Sequence, residues 1–274
     1  MHLRSIAGIV TLLLVFAGVA CTQQAETPAV PEAEPAAGSG DVALNTLTPE
    51  EVAQGWELLF DGKSLDKWRG FRMETVPPGW QVEDGLLVFR AEHGGEGYGD
   101  LTTKEQFDDF ELSLEWKISP CGNSGILFRV SEDYDQEWHT GPEYQIVDAT
   151  LGCWSDYQAP EGERAPNSDL KPTQLSGANY DLHAPSENAV KPVGEWNHSR
   201  LVVNGPHVEH WLNGKKVVEY ELWSPEWEAL VAASKFKDYP KYGRNRTGHI
   251  VLQDHGKTLW FRNIKIRRLS SGSE

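Results

Sequence analysis

Two carboxylates and a carboxamide lie in one short segment that otherwise has the composition of a buried β-strand. The segment runs Gly141-Pro142-Glu143-Tyr144-Gln145-Ile146-Val147-Asp148. Because side chains alternate between the faces of a strand, Glu143 and Gln145 share one face, and Tyr144 and Ile146 share the other. A one-residue bulge at the last valine would bring Asp148 onto the polar face, giving a carboxylate row of the kind that lines sugar-processing clefts. The alternative for this segment is a polar strand surface that faces solvent.

The elements that must position these residues are short alternating segments joined by glycine turns. The turns Asp84-Gly85 and Asn213-Gly214 each separate two alternating runs, which predicts two β-hairpins. One segment, 225–233, has a helical pattern, with Ser224 as its N-cap and Pro225 in its first turn. The sequence therefore predicts an all-β domain, a jelly-roll sandwich of two antiparallel sheets. The other predicted strands are 56–60, 80–83, 86–89, 110–116, 125–130, 199–203, 208–212, 215–218, 249–253 and 260–266.

The first twenty residues resemble a bacterial lipoprotein signal peptide. An arginine precedes an apolar stretch that is too short to span a bilayer, and small residues lead to Cys21. We expect residues 1–20 to be removed and Cys21 to carry lipid, with an ordinary secretory signal as the alternative. Residues 21–45 are rich in Ala, Pro and Glu, and we expect a flexible tether that holds a folded domain, residues 46–270, off a membrane. The expected location is the bacterial cell envelope, at the outer membrane or in the periplasm of a Gram-negative host.

Charge and cysteine content narrow the class of partner. The chain carries a net charge of −16 and has no evident basic face, which argues against nucleic acid as a partner. Its 11 Trp and 8 Tyr residues suit stacking on sugar rings, although many of them must belong to the core. If Cys21 carries lipid, Cys121 and Cys153 remain, and a disulfide between them and a free buried pair are both open. Neither belongs to a Cys-x-x-Cys clip, which argues against a metal site built on them.

Several further segments occur in the order found in a known bacterial family. They are 55–65 with Trp68, Gly99-Asp100-Leu101 before Asp109-Phe110-Glu111-Leu112, Gly122-Asn123-Ser124-Gly125-Ile126, Gly141-Pro142-Glu143-Tyr144-Gln145, Glu209-His210-Trp211-Leu212-Asn213-Gly214, and 248–256. Together they resemble the 3-keto-disaccharide hydrolase family, long described as a domain of unknown function. The resemblance covers essentially the whole predicted domain. It implies a concanavalin A-like double sheet, related in shape to laminarinase-type glycosidases and lectins, and a carbohydrate ligand on the concave face. It also implies cleavage of glycosides already oxidised to a ketone at sugar C3.

Such a substrate has definite chemical requirements. A ketone at C3 acidifies the proton at C2, so a base can remove it, the aglycone leaves C1, and water then adds back. The enzyme must supply a base, a group that stabilises the enediolate oxygen, and an acid near the leaving oxygen. Glu143 and His255 are the first candidates for base and acid, and Glu209 and Asp148 are the second. A divalent metal could hold the C2 and C3 oxygens, with Glu143, Glu209, His210 and His255 as candidate ligands, although no compact metal motif is present.

Other polar residues are candidates for contacts with the sugar, and each has a structural alternative. The candidates are Asn123, Arg129, Gln145, Tyr180, Asp181, Trp211, Lys235 and Gln253. The alternatives are a plain turn at Asn123, an ion pair between Arg129 and Glu143, a cross-strand ion pair beside Trp211, and solvated loops around Tyr180, Asp181 and Lys235. His210 alternates with two apolar residues, which favours a packed histidine.

Three functions fit these residues: an enzyme that cleaves 3-keto-glycosides, a lectin-like binding module that uses the same face, and a retaining glycoside hydrolase. The retaining mechanism would pair Glu143 with Asp148. Their Cα atoms lie more than ~10 Å apart along a strand, whereas a retaining pair needs carboxyl groups about 5 Å apart. The sequence therefore favours the first function. We expect one concave surface to collect Glu143, Gln145, Glu209, Gln253 and His255.

Overall fold

Two antiparallel β-sheets pack face to face in the computed structural model of the chain, which describes residues 43–90 and 99–269. This arrangement confirms the predicted sandwich. The eight-stranded sheet has the order β11 (Lys215–Glu221), β10 (His207–Leu212), β9 (Asn197–Asn204), β6 (Phe110–Ile118), β13 (Leu259–Arg268), β4 (Leu86–Phe89) and β3 (Trp80–Glu83), with β1 (Trp56–Leu58) also paired to β13. The five-stranded sheet has the order β2 (Trp68–Gly70), β5 (Leu101–Thr103), β12 (His249–Leu252), β7 (Asn123–Val130) and β8 (Glu143–Val147).

The described helices are short and lie in the connections. They are α1 (Pro49–Ala53), α2 (Pro225–Ala233) and four 3-10 helices, Glu137–His139, Ser155–Tyr157, Pro172–Gln174 and Lys235–Asp238. Helix α2 has the predicted bounds, and the Ser224 hydroxyl accepts a hydrogen bond from the Trp227 amide at 3.1 Å. Helix α1 is not predicted from the sequence pattern, because it is only one turn long and depends on a capping box between Thr48 and Glu51. In the described ranges no helix is long and apolar enough to cross a membrane.

Both predicted hairpins are present. Asp84 and Gly85 have φ values of 49° and 78°, and Asn213 and Gly214 have φ values of 50° and 82°. Two consecutive residues with positive φ form the type I′ turn, whose twist matches that of the flanking strands. Strands β3 and β4 pair across the first turn, and strands β10 and β11 pair across the second.

The N-terminal boundary of the fold lies within the segment expected to be a tether. The Asn45 amide N–H donates to Asn263 Oδ1 at 2.7 Å, and its side chain donates to the Gly85 carbonyl at 2.7 Å. Asn45 is 5% exposed, so this residue belongs to the folded domain. The expected signal peptide, Cys21 and most of the expected tether lie outside the described residues.

The core between the sheets fixes the direction of the side chains on β8. The Tyr144 hydroxyl, on the inner face, donates to the Trp211 carbonyl at 3.1 Å and accepts from Ser199 Oγ at 2.9 Å, which ties the two sheets together. Tyr144 and Ile146 are both 0% exposed. Because side chains alternate, Glu143 and Gln145 lie on the side of the five-stranded sheet that points away from the core. We call this side the outer face.

A bulge in β7 directs Arg129 away from the predicted cleft. The pairing of β12 with β7 shifts register between His249 and Val251, and Arg129 has a φ of 50°. Its guanidinium donates to Asp109 Oδ1 at 2.9 Å and to the carbonyls of Asp108 and Gly205 at 3.1 and 2.9 Å. Arg129 therefore does not neutralise Glu143. Its guanidinium forms a buried ion pair with Asp109 and does not point to the predicted sugar site.

Replacing Arg129 with methionine tests this assignment. The change leaves Asp109 without its cationic partner, so we expect the free energy of unfolding in urea to fall by about 3 kcal/mol or more. The matched change Arg262→Met, at the half-buried pair with Glu115, should cost no more than about 1 kcal/mol. A higher KM for Arg129→Met with unchanged stability would instead support a role in substrate binding.

Candidate active site

Glu143 and Gln145 lie on the outer face yet are almost excluded from solvent. Glu143 is 6% exposed and Gln145 is 2% exposed, because the connections after β7, β8 and α2 cover this part of the sheet. A solvent-facing strand surface would leave both side chains largely exposed. The outer face is therefore an enclosed polar site of the kind expected from the sequence.

Gly125 provides the space that the Glu143 side chain occupies. Gly125 pairs with Gln145 across the β7–β8 ladder, and its amide oxygen accepts from the Gln253 N–H at 3.0 Å. A Cβ atom built on Gly125 would lie 2.4 Å from Glu143 Oε1 and 2.8 Å from Glu143 Cγ, distances that no real side chain shows. A glycine is required here because the carboxyl group packs directly against the neighbouring backbone.

Burial changes the acidity of Glu143. Removal from water raises its pKa to about 8, and the charges of Glu137 and Asp181 act in the same direction, while the Lys235 ammonium opposes them. An ordinary glutamate has a pKa of 4.5. A carboxyl group whose pKa lies near neutrality is suited to proton transfer in either direction, which is the property of a general base or acid.

A pair of carboxyl groups, on Asp100 and Glu137, lies near Glu143 and was not predicted from the sequence. Burial, together with the nearby charge of Glu137 and a side-chain hydrogen bond to it, raises the pKa of Asp100 well above its usual value. The two carboxyl groups are in hydrogen-bonding contact, which favours the protonated form of Asp100. Asp100 Oδ1 accepts from the Asp254 amide at 2.7 Å, and Glu137 Oε1 accepts from Gln253 Nε2 at 3.1 Å. The pair thus joins the loop before β8 to the end of β12.

The sequence contained a weak signal for Glu137. It belongs to the cluster Glu137-Trp138-His139, which precedes the predicted strand by one residue, but the cluster lies in a loop without periodicity. Asp100 occurs in one of the segments that carry the family resemblance, without any indication of its partner. Their contact joins residues 37 positions apart and depends on the packing of three separate segments, so spacing alone could not identify it.

Lys235 lies among aromatic rings at the rim of the site. Its ammonium group is 4.5 Å from the ring centre of Tyr180, 4.9 Å from that of Trp138 and 5.2 Å from that of Phe236. These distances correspond to cation–π contacts. Asp181 accepts from Gln174 Nε2 at 3.0 Å, which fixes this part of the loop. Tyr180 and Asp181 are half-buried and Lys235 is exposed, and together they form a rim near Glu143.

A cavity of about 240 Å³ is lined by Gln145, which shares the outer face of β8 with Glu143. Three of its lining residues carry carboxamides, and we call it the carboxamide pocket. It collects four of the predicted site residues, and a fifth polar residue, Gln174, was not predicted. Its polar lining consists of Asn123, Gln145, Gln174, Tyr180 and His255.

A disulfide holds the segment that carries Trp154, an apolar lining residue of the carboxamide pocket. Cys121 and Cys153 are bonded, with their Cα atoms 5.1 Å apart, and the bond fixes the segment that carries Trp154 to the turn before β7.

The Asp148 carboxylate accepts from the Cys121 amide at 2.7 Å and from the Thr150 amide at 3.0 Å. Strand β8 ends at Val147 and pairs with β7 without a bulge, so Asp148 does not join the polar row. Asp148 organises this loop, and the proposed carboxylate pair with Glu143 is wrong.

Glu209 and Trp211 lie on the other sheet and do not reach the site. They belong to β10 of the eight-stranded sheet, where Trp211 Nε1 donates to Glu209 Oε2 at 2.7 Å. Glu209 also pairs with Lys216 at 3.1 Å, and Arg200 lies over the Trp211 ring. The cross-strand ion pair was the correct alternative. Gln145 and His255 line one cavity and Glu143 shares the outer face of β8 with Gln145, whereas Glu209 lies on the other sheet.

The candidate metal ligands do not come together. His210 is 0% exposed, its Nδ1 contacts the Gly177 carbonyl at 3.0 Å, and burial lowers its pKa to about 3, so it is a packed neutral histidine. In the described residues, groups with metal-binding spacing are Cys121 with Asp148 and Cys153, and His207 with Glu209 and Glu219. The first group is bonded as a disulfide, and Lys216 already bridges both glutamates of the second. Neither group includes Glu143, so, within residues 43–90 and 99–269, the four suggested ligands do not form a metal site.

A β-sandwich with a buried carboxyl group, an amide-lined cavity and aromatic rings on one face is typical of carbohydrate-active proteins. The comparisons agree with this class. The chain is 36% identical to a Parabacteroides distasonis protein described as a candidate glycosyl hydrolase, with a TM-score of 0.74 over 83% of this chain and all of that one. A second such protein from the same organism is 28% identical, with a TM-score of 0.52 over 74% of this chain and all of that one.

The family model for the 3-keto-α-glucoside-1,2-lyase-like domain matches residues 55–267, so the chain belongs to this family. It is also 34% identical to the 3-keto-disaccharide hydrolase of Bacteroides thetaiotaomicron, over 82% of each chain. These relatives place the protein among enzymes of the glycoside hydrolase type.

The raised pKa of Glu143 predicts a specific dependence of stability on pH. The folded protein retains a proton that the unfolded chain releases near pH 4.5, so the stabilising contribution is complete below pH 4.5 and is lost as pH rises through about 8. Between about pH 5 and about pH 9 we expect the melting temperature of the wild type to fall relative to that of Glu143→Gln. Glu209→Gln is the matched control, because hydrogen bonds and charges from Trp211 and Lys216 lower the pKa of Glu209 despite its partial burial. Parallel curves for the wild type and Glu143→Gln would contradict the raised pKa.

Proposed function

We propose that this protein cleaves glycosides whose sugar carries a ketone at C3, by removing the C2 proton, eliminating the aglycone and then adding water. The observation that carries the proposal is the enclosed Glu143 carboxyl, whose pKa is raised to about 8, on the outer face beside Lys235. The family description, which names a 1,2-lyase, and the relative named as a 3-keto-disaccharide hydrolase give independent support.

Glu143 is the general base in this proposal. The ketone acidifies the C2 proton, and a carboxylate with a pKa near 8 is a stronger base than an ordinary glutamate. Loss of that proton and cleavage of the bond between C1 and the aglycone oxygen form a C1=C2 double bond. Water then returns a hydroxyl group to C1 and a proton to C2, so the net reaction is hydrolysis of the glycosidic bond.

Lys235 and His255 take the two remaining roles. Lys235 is the cation that acts on Glu143, so it is well placed to stabilise the negative oxygen that forms from the C3 ketone. His255 lines the carboxamide pocket and is the candidate acid for the leaving oxygen. The Asp100–Glu137 pair positions Gln253 and the loop before β8 through its hydrogen bonds. This arrangement needs one base carboxylate, whereas retaining hydrolysis would need Asp148 as a partner of Glu143.

The change Glu143→Gln tests the role of the base. It keeps the size and hydrogen-bonding capacity of the side chain but removes the basic oxygen, so kcat on a 3-keto-disaccharide should fall about 10²-fold or more while KM changes little. Glu209→Gln should retain wild-type rates, since Glu209 lies on the other sheet. Equal activity of the two variants would remove Glu143 from the mechanism. A wild-type protein that binds 3-keto-glycosides without releasing product would instead support a lectin-like module.

The elimination can be followed in heavy water. The wild-type reaction should place deuterium at C2 of the released 3-keto sugar, because the original C2 proton is lost before water adds back. The rate of exchange without enzyme must be subtracted, since the ketone exchanges that proton slowly by itself. A product without enzyme-dependent deuterium at C2 would favour direct displacement at C1 and would exclude the elimination.

We propose further that the mature protein is anchored in the bacterial cell envelope through lipid on Cys21. Support comes from the apolar stretch and small residues before Cys21, and Thr22 and Gln23 place no acidic residue directly after it, which suits sorting to an outer membrane. Cys21→Ser should release the protein from the membrane fraction or stall its processing, whereas Cys121→Ser should leave the anchor intact. Full-length mature Cys21→Ser protein that stays in the membrane fraction would contradict the anchor.

A further inference from the structure

The carboxamide pocket contains a buried polar atom that lacks a partner among the described residues. Asn123 Oδ1 is buried and accepts no hydrogen bond from the described residues. Gln145 is 2% exposed, and its Oε1 accepts from the Ile146 amide at 3.0 Å. Native proteins rarely leave such a group unpaired, so a buried acceptor in a small amide-lined cavity indicates a ligand that donates a hydrogen bond, as a sugar hydroxyl does.

The opposite wall of the pocket is apolar and rigidly held. Val147, Trp154 and Leu170 form this wall. The Trp154 indole N–H donates to the Asp148 carbonyl at 2.8 Å, and the Cys121–Cys153 disulfide ties the adjacent residue to the turn before β7. An indole ring fixed against a cavity lined by amides is suited to stacking on the apolar face of a sugar ring.

The charge of the pocket restricts its ligand. None of its lining residues is Asp, Glu, Lys or Arg. His255 is the one lining group that could meet a carboxylate or phosphate as a cation, and the acidic groups near Glu143 would repel such a ligand. An uncharged ring avoids that repulsion.

The position of the pocket relative to Glu143 indicates which sugar it holds. Glu143 and Gln145 are two residues apart on one face of β8, a distance of about 7 Å, which is close to the size of one pyranose ring. Lys235 acts on Glu143 from the rim and is absent from the pocket lining, whereas His255 is part of that lining. The oxidised ring therefore belongs beside Glu143 and Lys235, and the departing unit belongs in the pocket.

We propose that the carboxamide pocket is a subsite for an uncharged sugar ring that stacks on Trp154, and that this ring is the leaving unit of a disaccharide. The assignment as the leaving unit rests on the proposed function, but sugar binding by the pocket does not.

The first experiment measures binding without chemistry. Methyl glucosides and glucuronate are titrated into the wild-type protein and followed by ligand-observed NMR. We expect millimolar binding of a methyl glucoside, at least about tenfold tighter than that of glucuronate, and loss of this binding in Trp154→Ala and Asn123→Asp. Trp154→Phe should retain binding, which separates loss of stacking from loss of folding. Trp196→Ala is the matched control, because Trp196 lies against Lys117 and Arg262 and does not line the pocket.

The second experiment measures the preference for a disaccharide. The ratio of kcat/KM for a 3-keto-disaccharide to that for the corresponding 3-keto methyl glycoside should exceed about ten in the wild type and approach one in Trp154→Ala. An unchanged ratio in Trp154→Ala would overturn the assignment of the pocket to the leaving unit. Absence of methyl glucoside binding in the first experiment, or equal binding of glucuronate, would overturn the subsite itself. Absence of cleavage of any 3-keto-glycoside, with binding intact, would reject the proposed function and leave the sugar subsite standing.

Discussion

The site depends on the burial of the Glu143 carboxyl group against the backbone of Gly125, which has no side chain. Glu143 lies on the outer face of the five-stranded sheet, where an isolated sandwich would expose it to water, and covering loops leave only 6% of it accessible. A buried carboxyl is costly in its ionised form, so the folded protein holds it closer to protonation and its pKa rises to about 8. The same burial requires Gly125 on the neighbouring strand, because any side chain there would occupy the space of the carboxyl group.

The covering loops require supports of their own, and most charged groups near the sheet serve as such supports. The hydrogen bond between Glu137 and Asp100, whose pKa is raised, ties the loop before β8 to the end of β12. Asp148 and the Cys121–Cys153 disulfide hold the loop after β8. At this site more of the buried polar groups support the covering loops than face the proposed substrate. Several carboxyl-bearing residues that could do acid or base chemistry are therefore structural.

Local patterns predicted the elements well, and they predicted the site only where a strand stays regular. The type I′ hairpins and the bounds of α2 depend on neighbouring residues, so the sequence was sufficient for both. Alternation placed Glu143 and Gln145 correctly, because β8 runs without a bulge. It failed at Arg129, where a bulge in β7 reverses the side chain, and at Glu209, whose polar face belongs to the other sheet. The contact of Asp100 with Glu137 lies between loops, for which no period exists.

The resulting arrangement suits an elimination better than a displacement. A retaining displacement needs two carboxyl groups of opposite character about 5 Å apart, one ionised as nucleophile and one protonated as acid. Here the next carboxyl group along the chain from Glu143, on Asp148, accepts hydrogen bonds from the backbone amides of Cys121 and Thr150. The pKa of Glu143 itself is raised to about 8. A group whose pKa lies near the pH of its surroundings is poorly suited to remain an anionic nucleophile. Such a group is well suited to accept a proton and release it again. In the proposed elimination, a single residue with that property takes the C2 proton, exchanges it with water and later delivers a solvent proton to C2.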